Sequence, residues 1–201
     1  MYKLFMLSIL LFCLPLFAQD QKIIIVRHGD SDSNVEKVYN SNPDHANYKV
    51  SNLTDKGKKE IAETAKNLTS QGFKDNSIAV VFVSPLPRTR QTADILAKEG
   101  LFSPSKIKLD TRLVETQAGD LEGKPIVADE EFHNKENHTE SDEQVKDRMQ
   151  KFYDSIKDQY PTGTIVVVTH GLPAVMLQEV ISGSKDKFKT AEAKVLPLKK
   201  N

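Results

Sequence analysis

The sequence predicts one α/β domain, built as a three-layer α/β/α sandwich around a central, mostly parallel sheet. Short runs of β-branched residues, each of strand length, alternate with segments whose apolar residues recur every three or four positions. Strands that alternate with helices favour parallel pairing, with the helices on both faces of the sheet. The 201-residue length, of which 38% is hydrophobic, suits a single domain, and no linker interrupts the pattern after residue 22.

Each element has a local signal. Ile61, Ala65 and Leu68 share one helical face, and Thr54 is a capping residue just before that helix. Ser141 and Gln144 have the spacing of a capping box at the start of another. The predicted elements, in order, are a strand at 22–26, a helix from Thr54 to Gly72, a strand at 78–83, a helix through Ala93 and Leu96 that stops at Gly100, a short strand at 107–109, a helix from Ser141 through Ile156, a strand at 165–168, and a helix containing Pro173 that ends near Gly183.

Residues 1–18 are predicted to be a signal peptide that precedes a domain at 22–201. A short cationic start is followed by an apolar run at 4–17 and by the small residue Ala18, and the run is too short to span a bilayer comfortably. An uncleaved anchor is the alternative, whereas the bulky Phe12 before Cys13 disfavours a lipoprotein. We expect a secreted or periplasmic protein without a disulfide and without stable membrane association after cleavage, since Cys13 is the only cysteine.

Composition and loop residues exclude several partners. Lys+Arg and Asp+Glu number 28 each, so net charge gives no reason to expect nucleic acid or an anionic membrane as a partner. His45, His133 and His138 lie in polar loops without metal-ligand spacing and are predicted to be exposed. Neither a metal nor a cofactor is therefore expected.

The most informative pattern is a strand that runs directly into His-Gly, which occurs twice. His28 follows the first predicted strand and His170 follows the last. Ligands of open α/β sheets bind beyond the carboxyl ends of the strands, so both imidazoles should reach one crevice. Arg27 precedes the first histidine, and Arg88 lies in the first turn of a helix after the 78–83 strand, whereas Arg90 should face solvent. Two arginines and two histidines together predict a site for a phosphoryl group, whose charge of about −2 would relieve their repulsion.

These motifs resemble those of the histidine phosphatase superfamily, the phosphoglycerate mutase-like fold. The similar segments, in order, are Arg27-His28-Gly29-Asp30-Ser31 with Asn34, Leu53-Thr54 with Gly57, the stretch from Ser84 to Ala93, Leu113-Val114-Glu115 leading to Gly119 and Glu122-Gly123, the Glu140-Ser141 helix start, and Thr169-His170-Gly171. The resemblance covers about 22–183. Asp30 departs from it, because Glu or Gln is more usual there, and many cytosolic members have no leader.

The resemblance implies roles that physical argument supports. His28 would be the nucleophile that forms a phosphohistidine, and nearby cations would keep it neutral. Arg27, Arg88 and His170 would hold the non-bridging oxygens. Two further residues complete the predicted site: Asn34 would donate an amide hydrogen to the phosphoryl group, and Glu115 would be the general acid. A metal is unnecessary where side-chain cations stabilise the charge.

Three functions compete for this pattern. The favoured one is hydrolysis of a phosphorylated small molecule outside the cytoplasm. A phosphoglycerate mutase needs its intermediate kept from water, and the short stretch between Gly123 and Ser141 and the leader count against it. A non-catalytic phosphoryl-binding protein is the third, although Glu115 and both histidines are present. Tyr39, Tyr48 and Phe132, in the loops at 30–52 and 124–139, are the predicted apolar contacts for the rest of the substrate.

Overall fold

A computed structural model of the protein describes residues 21–198. The strands and helices are β1 (Lys22–Arg27), α1 (Asp32–Glu36), α2 (Asp55–Ser70), β2 (Ile78–Val83), α3 (Pro87–Lys98), β3 (Ile107–Leu109), α4 (Asp129–Phe132), α5 (Asp142–Ile156), β4 (Thr164–Thr169), α6 (Gly171–Ser182) and β5 (Ala193–Pro197). The predicted signal peptide at 1–18 lies outside the described residues. Among residues 21–198, none of the helices has the length and apolar character needed to cross a membrane.

The predicted sheet is confirmed. Its five strands lie in the order β3-β2-β4-β1-β5, and every pair is parallel except β1 with β5. The antiparallel edge strand β5 was not predicted, because its five residues carry a weak alternating pattern with two polar or proline positions. It covers the outer edge of β1, which would otherwise leave unpaired backbone groups.

Two apolar cores, one on each face of the sheet, make the three layers. Because side chains alternate along a strand, Ile24 and Val26 face α2 and α3, whereas Ile23 and Ile25 face α5 and α6. The largest fully buried side chain is Phe152 of α5, whose ring packs edge-on against Phe82 at 5.3 Å between centroids. Burial on both faces explains why β1, β2 and β4 read as continuous apolar runs in the sequence.

The predicted helix signals are confirmed at their caps. The Thr54 side chain accepts a hydrogen bond from the amide of Gly57, and Ser141 with Gln144 forms the reciprocal capping box that opens α5. Gly183, with a φ of 80°, ends α6 in the left-handed conformation that glycine favours. The loop predicted between β1 and Thr54 is not wholly irregular, since it contains the short helix α1.

Candidate active site

Strand register brings the two His-Gly motifs together. Arg27 pairs with Thr169 at the ends of the parallel strands β1 and β4, so the next residue of each strand is a histidine. The amide of His28 donates to the carbonyl of Thr169 at 3.0 Å, and the rings of His28 and His170 lie 5.1 Å apart between centroids. Both histidines are buried at the carboxyl edge of the sheet.

The hydrogen bonds of the His28 ring show which nitrogen is protonated and which carries the lone pair. Nδ1 lies 2.7 Å from the carbonyl oxygen of Gly29, which can only accept a hydrogen bond, so Nδ1 carries the proton. The lone pair is therefore on Nε2, which accepts from Nε of Arg88 at 3.1 Å. Burial, together with the charges of Arg88 and Arg27, lowers the pKa of His28 well below its usual value, so the ring is neutral at pH 7.

The turn after His28 is closely packed against the start of α2. A Cβ added at Gly57 would lie 2.0 Å from the carbonyl oxygen of Asp30, and one added at Gly29 would lie 2.6 Å from the carbonyl oxygen of Gly57. The amide of Thr54 also donates to the Asp30 carbonyl. Glycine is needed at both positions because two backbone segments touch there, and this contact fixes the path of the chain beside His28.

Arg88 is held by a residue that sequence reasoning did not identify. Nη1 donates to the side-chain oxygen of Asn40 at 2.7 Å, and Nη2 donates to the Asn40 carbonyl at 2.8 Å. The arginine is only 2% exposed. Burial lowers the pKa of Arg88, opposed chiefly by the negative charge of Glu115, but a guanidinium starts high enough to stay protonated. The site thus contains a buried, oriented cation.

The loop that carries Asn40 is anchored by the buried carboxylate of Glu122. That carboxylate accepts from the amide of Ser41 at 2.9 Å and from its hydroxyl at 2.6 Å. The Ser41 hydroxyl in turn accepts from the amide of Ala118 at 3.0 Å. In sequence, Glu122 was part of a segment that resembles the family but had no assigned role. Only the loop packing shows that it supports the Asn40–Arg88 contact from behind.

His170 has one ring nitrogen within hydrogen-bond distance of Ser84 and one buried, unpaired ring nitrogen among residues 21–198. Nε2 lies 2.8 Å from the hydroxyl of Ser84, while Nδ1 is buried without a hydrogen-bond partner among residues 21–198 and lies 3.7 Å from a carboxylate oxygen of Glu115. Burial, followed by the charge of Arg88, lowers the pKa of His170 well below its usual value. The contact with Glu115 is therefore not an ion pair at pH 7. The proton of the neutral ring is placed on Nδ1, because an N–H there faces the Glu115 carboxylate favourably. The Ser84 hydroxyl then donates a hydrogen bond to Nε2.

Arg27 and Asn34 complete the predicted phosphate-binding set. Nη1 of Arg27 donates to the carbonyl of Phe188 at 2.7 Å, but its buried Nε has no partner within the described chain. The side-chain oxygen of Asn34 accepts from the hydroxyl of Ser31 at 2.8 Å, which orients the amide nitrogen as an available donor. Both residues line the same cavity as His28, Arg88 and Glu115.

Glu115 lies between the 3-10 turns Thr111–Leu113 and Gly119–Leu121, after β3. Its side chain is 26% exposed, so the carboxylate has access to water as well as to the buried histidines. One oxygen accepts from the amide of Thr116 at 2.9 Å, which fixes the carboxylate at the cavity wall. This position suits a group that exchanges protons with solvent and with a bound ester.

Three of these side chains could also be considered as metal ligands. One nitrogen each of His28 and His170 and one oxygen of Glu115 lie within 4.8 Å of one another. Arg27 and Arg88 border the same space, however, and two guanidinium charges oppose a divalent cation while favouring an anion. The donor set therefore fits a phosphoryl group better than a metal ion.

The cavity bounded by these residues has a volume of about 550 Å³. With the fold and this geometry, comparison with known proteins decides the family. The model of the histidine phosphatase superfamily (branch 1) matches residues 23–192. The chain belongs to the histidine phosphatase superfamily. The resemblance seen in the motifs is thereby confirmed.

Among the relatives of this chain, some are named as phosphatases and others as phosphoglycerate mutases. The chain is 28% identical over 163 residues to the uncharacterized phosphatase PhoE of Bacillus subtilis (strain 168). That alignment covers 80% of this chain and 77% of PhoE. The chain is 32% identical over 108 residues to the 2,3-bisphosphoglycerate-dependent phosphoglycerate mutase of Rhodopseudomonas palustris (strain BisB18). That match covers 52% of this chain and 46% of the mutase, so it spans about half of each protein.

Solved structures share the fold. Bacillus stearothermophilus YhfR superposes with a TM-score of 0.65 at 24% identity and covers 82% of this chain and 81% of its own. A mycobacterial glucosyl-3-phosphoglycerate phosphatase superposes with a TM-score of 0.66 at 18% identity, and the match covers 88% of this chain and 90% of that one. At these identities the likeness shows the phosphoglycerate mutase-like architecture and does not identify a substrate.

The structure of this histidine phosphatase brings together all six site residues that the sequence singled out. Arg90 is exposed, as predicted, and so are His133 and His138, whereas His45 is partly buried. Of the three aromatic residues predicted to contact the substrate, Tyr39 and Phe132 line the cavity and Tyr48 does not. Sequence reasoning missed Asn40, for which polar residue type was the only signal, and it placed Ser84 and Glu122 in segments that resemble the family without assigning a role to either.

Proposed function

We propose that the protein is an exported, metal-independent phosphatase that hydrolyses phosphomonoesters through a phosphohistidine on Nε2 of His28. The observation that carries the proposal is the tautomer of this buried ring. Its Nδ1 proton is engaged by the Gly29 carbonyl, and its unprotonated Nε2 accepts a hydrogen bond from Arg88, a cavity-lining cation that a phosphoryl group would attract. A neutral imidazole with an unprotonated nitrogen is the form that attacks phosphorus.

In the proposed first step, Nε2 of His28 bonds to phosphorus as the bond from phosphorus to the ester oxygen breaks. Glu115, in its protonated form, gives its proton to the departing oxygen, so the product leaves as a neutral alcohol or phenol. Arg27, Arg88 and Nδ1 of His170 donate hydrogen bonds to the non-bridging oxygens. Two of these donors, Nε of Arg27 and Nδ1 of His170, are buried without partners among the described residues, and a phosphoryl group would satisfy both.

In the second step, water attacks the phosphohistidine and its proton passes to the Glu115 carboxylate. The bond from phosphorus to Nε2 breaks, which restores the neutral ring and releases inorganic phosphate. Because the two guanidinium groups already oppose a bound cation, the reaction needs no divalent ion. Over the two steps the phosphomonoester and one water molecule give an alcohol and inorganic phosphate, and His28 and Glu115 return to their starting forms.

The central test is turnover of 4-nitrophenyl phosphate in the presence of EDTA by the domain starting at Gln19. We expect His28→Ala to lower kcat by at least about 1,000-fold, since removal of a nucleophile leaves only binding effects. The exposed His138→Ala variant is the control and should retain full activity. Wild-type turnover by His28→Ala would overturn the phosphohistidine mechanism, and loss of wild-type activity in EDTA would overturn metal independence.

The acid role of Glu115 is tested by leaving groups of different basicity. A poor alkoxide leaving group needs a proton in the transition state, whereas 4-nitrophenolate does not. We expect Glu115→Gln to lower kcat/KM for an alkyl phosphate by about 100-fold or more, within the usual range for general acids, and to affect the nitrophenyl ester much less. Equal losses on both esters would remove the acid role.

A mutase is the second candidate, because relatives named phosphoglycerate mutase match half of the chain. The same phosphohistidine would then return its phosphoryl group to a second hydroxyl instead of to water. Incubation with 3-phosphoglycerate, with and without a bisphosphoglycerate primer, separates the two. Phosphate release supports hydrolysis, isomerisation without release supports the mutase, and tight phosphate binding without either supports a binding protein.

Export is proposed from the leader alone. Expression of the full chain in a bacterium, followed by fractionation and mass measurement, would test it. A periplasmic or secreted product that has lost about 18 residues is the expected result. A full-length product in the membrane fraction would instead indicate an uncleaved anchor.

A further inference from the structure

The cavity has an apolar section beyond the phosphate-binding residues. Its apolar lining consists of Val38, Tyr39, Ile126, Val127, Phe132 and Leu172. The rings of Tyr39 and Phe132 lie 5.2 Å apart between centroids with a tilt of 35°, and the Tyr39 hydroxyl accepts from the amide of Val127 at 3.2 Å. A wall of this composition binds an apolar or aromatic group better than a short polar chain.

The far end of the same cavity is acidic. His133 lies 3.6 Å from a carboxylate oxygen of Asp129 and 3.8 Å from one of Asp142, and all three line the cavity. They also line a neighbouring cavity, so they lie where the two cavities meet, away from the buried histidines. In that neighbouring cavity, the charges of Lys135 and Glu143 offset each other.

The remaining charged residue of the cavity lies at the opposite end. Lys187 is next in sequence to Phe188, whose carbonyl accepts from Arg27. Its charge therefore adds to the cationic phosphate end. The cavity as a whole is cationic where the ester phosphate would bind, apolar in the middle and anionic at its outer end. A complementary ligand would have a phosphate at one end, an apolar middle and a cationic group at the other end.

We propose that the preferred substrate is a phosphomonoester of an apolar or aromatic alcohol whose far end carries a cationic group, and that a carboxylate at that end is disfavoured. The inference rests on the proposed phosphatase function and adds the class of leaving group. A carboxylate-bearing ester such as phosphoglycerate is too short to fill the apolar section and has the wrong charge for the outer end.

Three aryl phosphates that differ only at the para position test the proposal: 4-(2-aminoethyl)phenyl, 4-ethylphenyl and 4-(carboxymethyl)phenyl phosphate. Two methylene groups separate the ammonium from the ring and one separates the carboxylate from it, so the leaving groups remain similar in basicity. Because the Asp129 carboxylate is 94% exposed, the expected effect is moderate. We expect kcat/KM for the amine to exceed that for the carboxylate by about 5- to 20-fold, as two solvent-exposed charge contacts allow.

The double variant Asp129→Asn/Asp142→Asn should reduce this ratio to near one, because it removes both carboxylates from the outer end of the cavity. Its matched control is Asp147→Asn/Asp154→Asn, which should keep the wild-type ratio. It removes two carboxylates of α5 that pair with Lys151 and Lys157 and do not line the cavity. Phe132→Ala should lower kcat/KM for 4-ethylphenyl phosphate by about 10-fold more than it lowers kcat/KM for ethyl phosphate, as expected for the loss of one aromatic contact.

The outcomes separate the two proposals. Hydrolysis of all three esters with equal rates, or with the carboxylate preferred, would overturn the proposed substrate class while the phosphatase function stands. A ratio that survives in Asp129→Asn/Asp142→Asn would also overturn it, because the selectivity would then arise elsewhere. If 4-nitrophenyl phosphate is hydrolysed but none of the three esters is, the proposed substrate class is overturned and the phosphatase function stands. If 4-nitrophenyl phosphate is not hydrolysed either, both proposals are overturned.

Discussion

Replacement of Asn40 by alanine tests whether the orientation of Arg88 limits the reaction. The substitution removes the side-chain acceptor that lies 2.7 Å from Nη1 of Arg88, and it also removes the bond from Asn40 to the carbonyl of Lys49. The backbone acceptor for Nη2 stays, so the guanidinium is loosened and not lost. Asn40 itself has no direct contact with His28 that the structure shows, and we therefore regard it as a positioning residue.

The magnitude follows from the lost hydrogen bond to Arg88. A hydrogen bond to a charged group contributes about 1.5–3 kcal/mol, and about 1.4 kcal/mol corresponds to a factor of ten in rate. We therefore expect kcat/KM for 4-nitrophenyl phosphate to fall by about 10- to 100-fold. Because the lost contact orients a transition-state donor, kcat should account for most of the change.

The control is Asn76→Ala, which changes an exposed asparagine remote from the cavity and should leave kcat/KM unaltered. Urea denaturation of both variants separates lost activity from lost stability. If folded Asn40→Ala keeps kcat/KM within twofold of the wild type, burial alone positions Arg88 and the reasoning is wrong. An activity loss that merely follows the unfolded fraction would refute it equally.

Two further predictions concern pH and packing. As pH falls from 7.5 to 5.5, the free energy of unfolding should decrease, because the unfolded imidazoles of His28 and His170 take up protons near their ordinary pKa of about 6.5 while the buried rings stay neutral. Each histidine contributes up to about 1.4 kcal/mol per pH unit to the slope of the unfolding free energy against pH. In urea titrations, His28→Gln should therefore show a smaller slope than the wild type, and an unchanged slope would contradict this. Gly57→Ala should destabilise the protein by about 1–3 kcal/mol and lower kcat, since its Cβ would displace the Asp30 backbone beside the nucleophile. The exposed Lys59→Ala is its control, and a fully active, equally stable Gly57→Ala protein would show that the contact is not needed.

Much of the fold is determined by local sequence. Two predicted strands, Ile78–Val83 and Ile107–Leu109, coincide with the observed ones, and the capping box at Ser141 opens α5 as expected. These elements are specified by residue periodicity and by side chains that cap their own helix, which are properties of neighbouring positions. The edge strand Ala193–Pro197 was missed because it is defined by pairing with β1, about 170 residues away along the chain.

The chemistry-bearing residues were predictable for a related reason. His28 and His170 each end a buried parallel strand, and parallel strands deliver their carboxyl ends to one edge of the sheet. Arg88 begins a helix immediately after another such strand. The residue types and their places in the strand order were therefore enough to predict a phosphoryl site before any distance was known.

Tertiary structure alone decided how these groups are oriented and what surrounds them. Asn40 reaches Arg88 from 48 positions away, and Glu122 holds the loop of Asn40 from a further segment. The charge order along the cavity likewise depends on α4 and the start of α5 meeting the loop after β1. Such contacts depend on which loops pack together, and loop packing has no periodic signal in the sequence. The sequence by itself thus predicted the candidate reacting groups, whereas the packing of distant loops determined their geometry and the shape of the cavity around them.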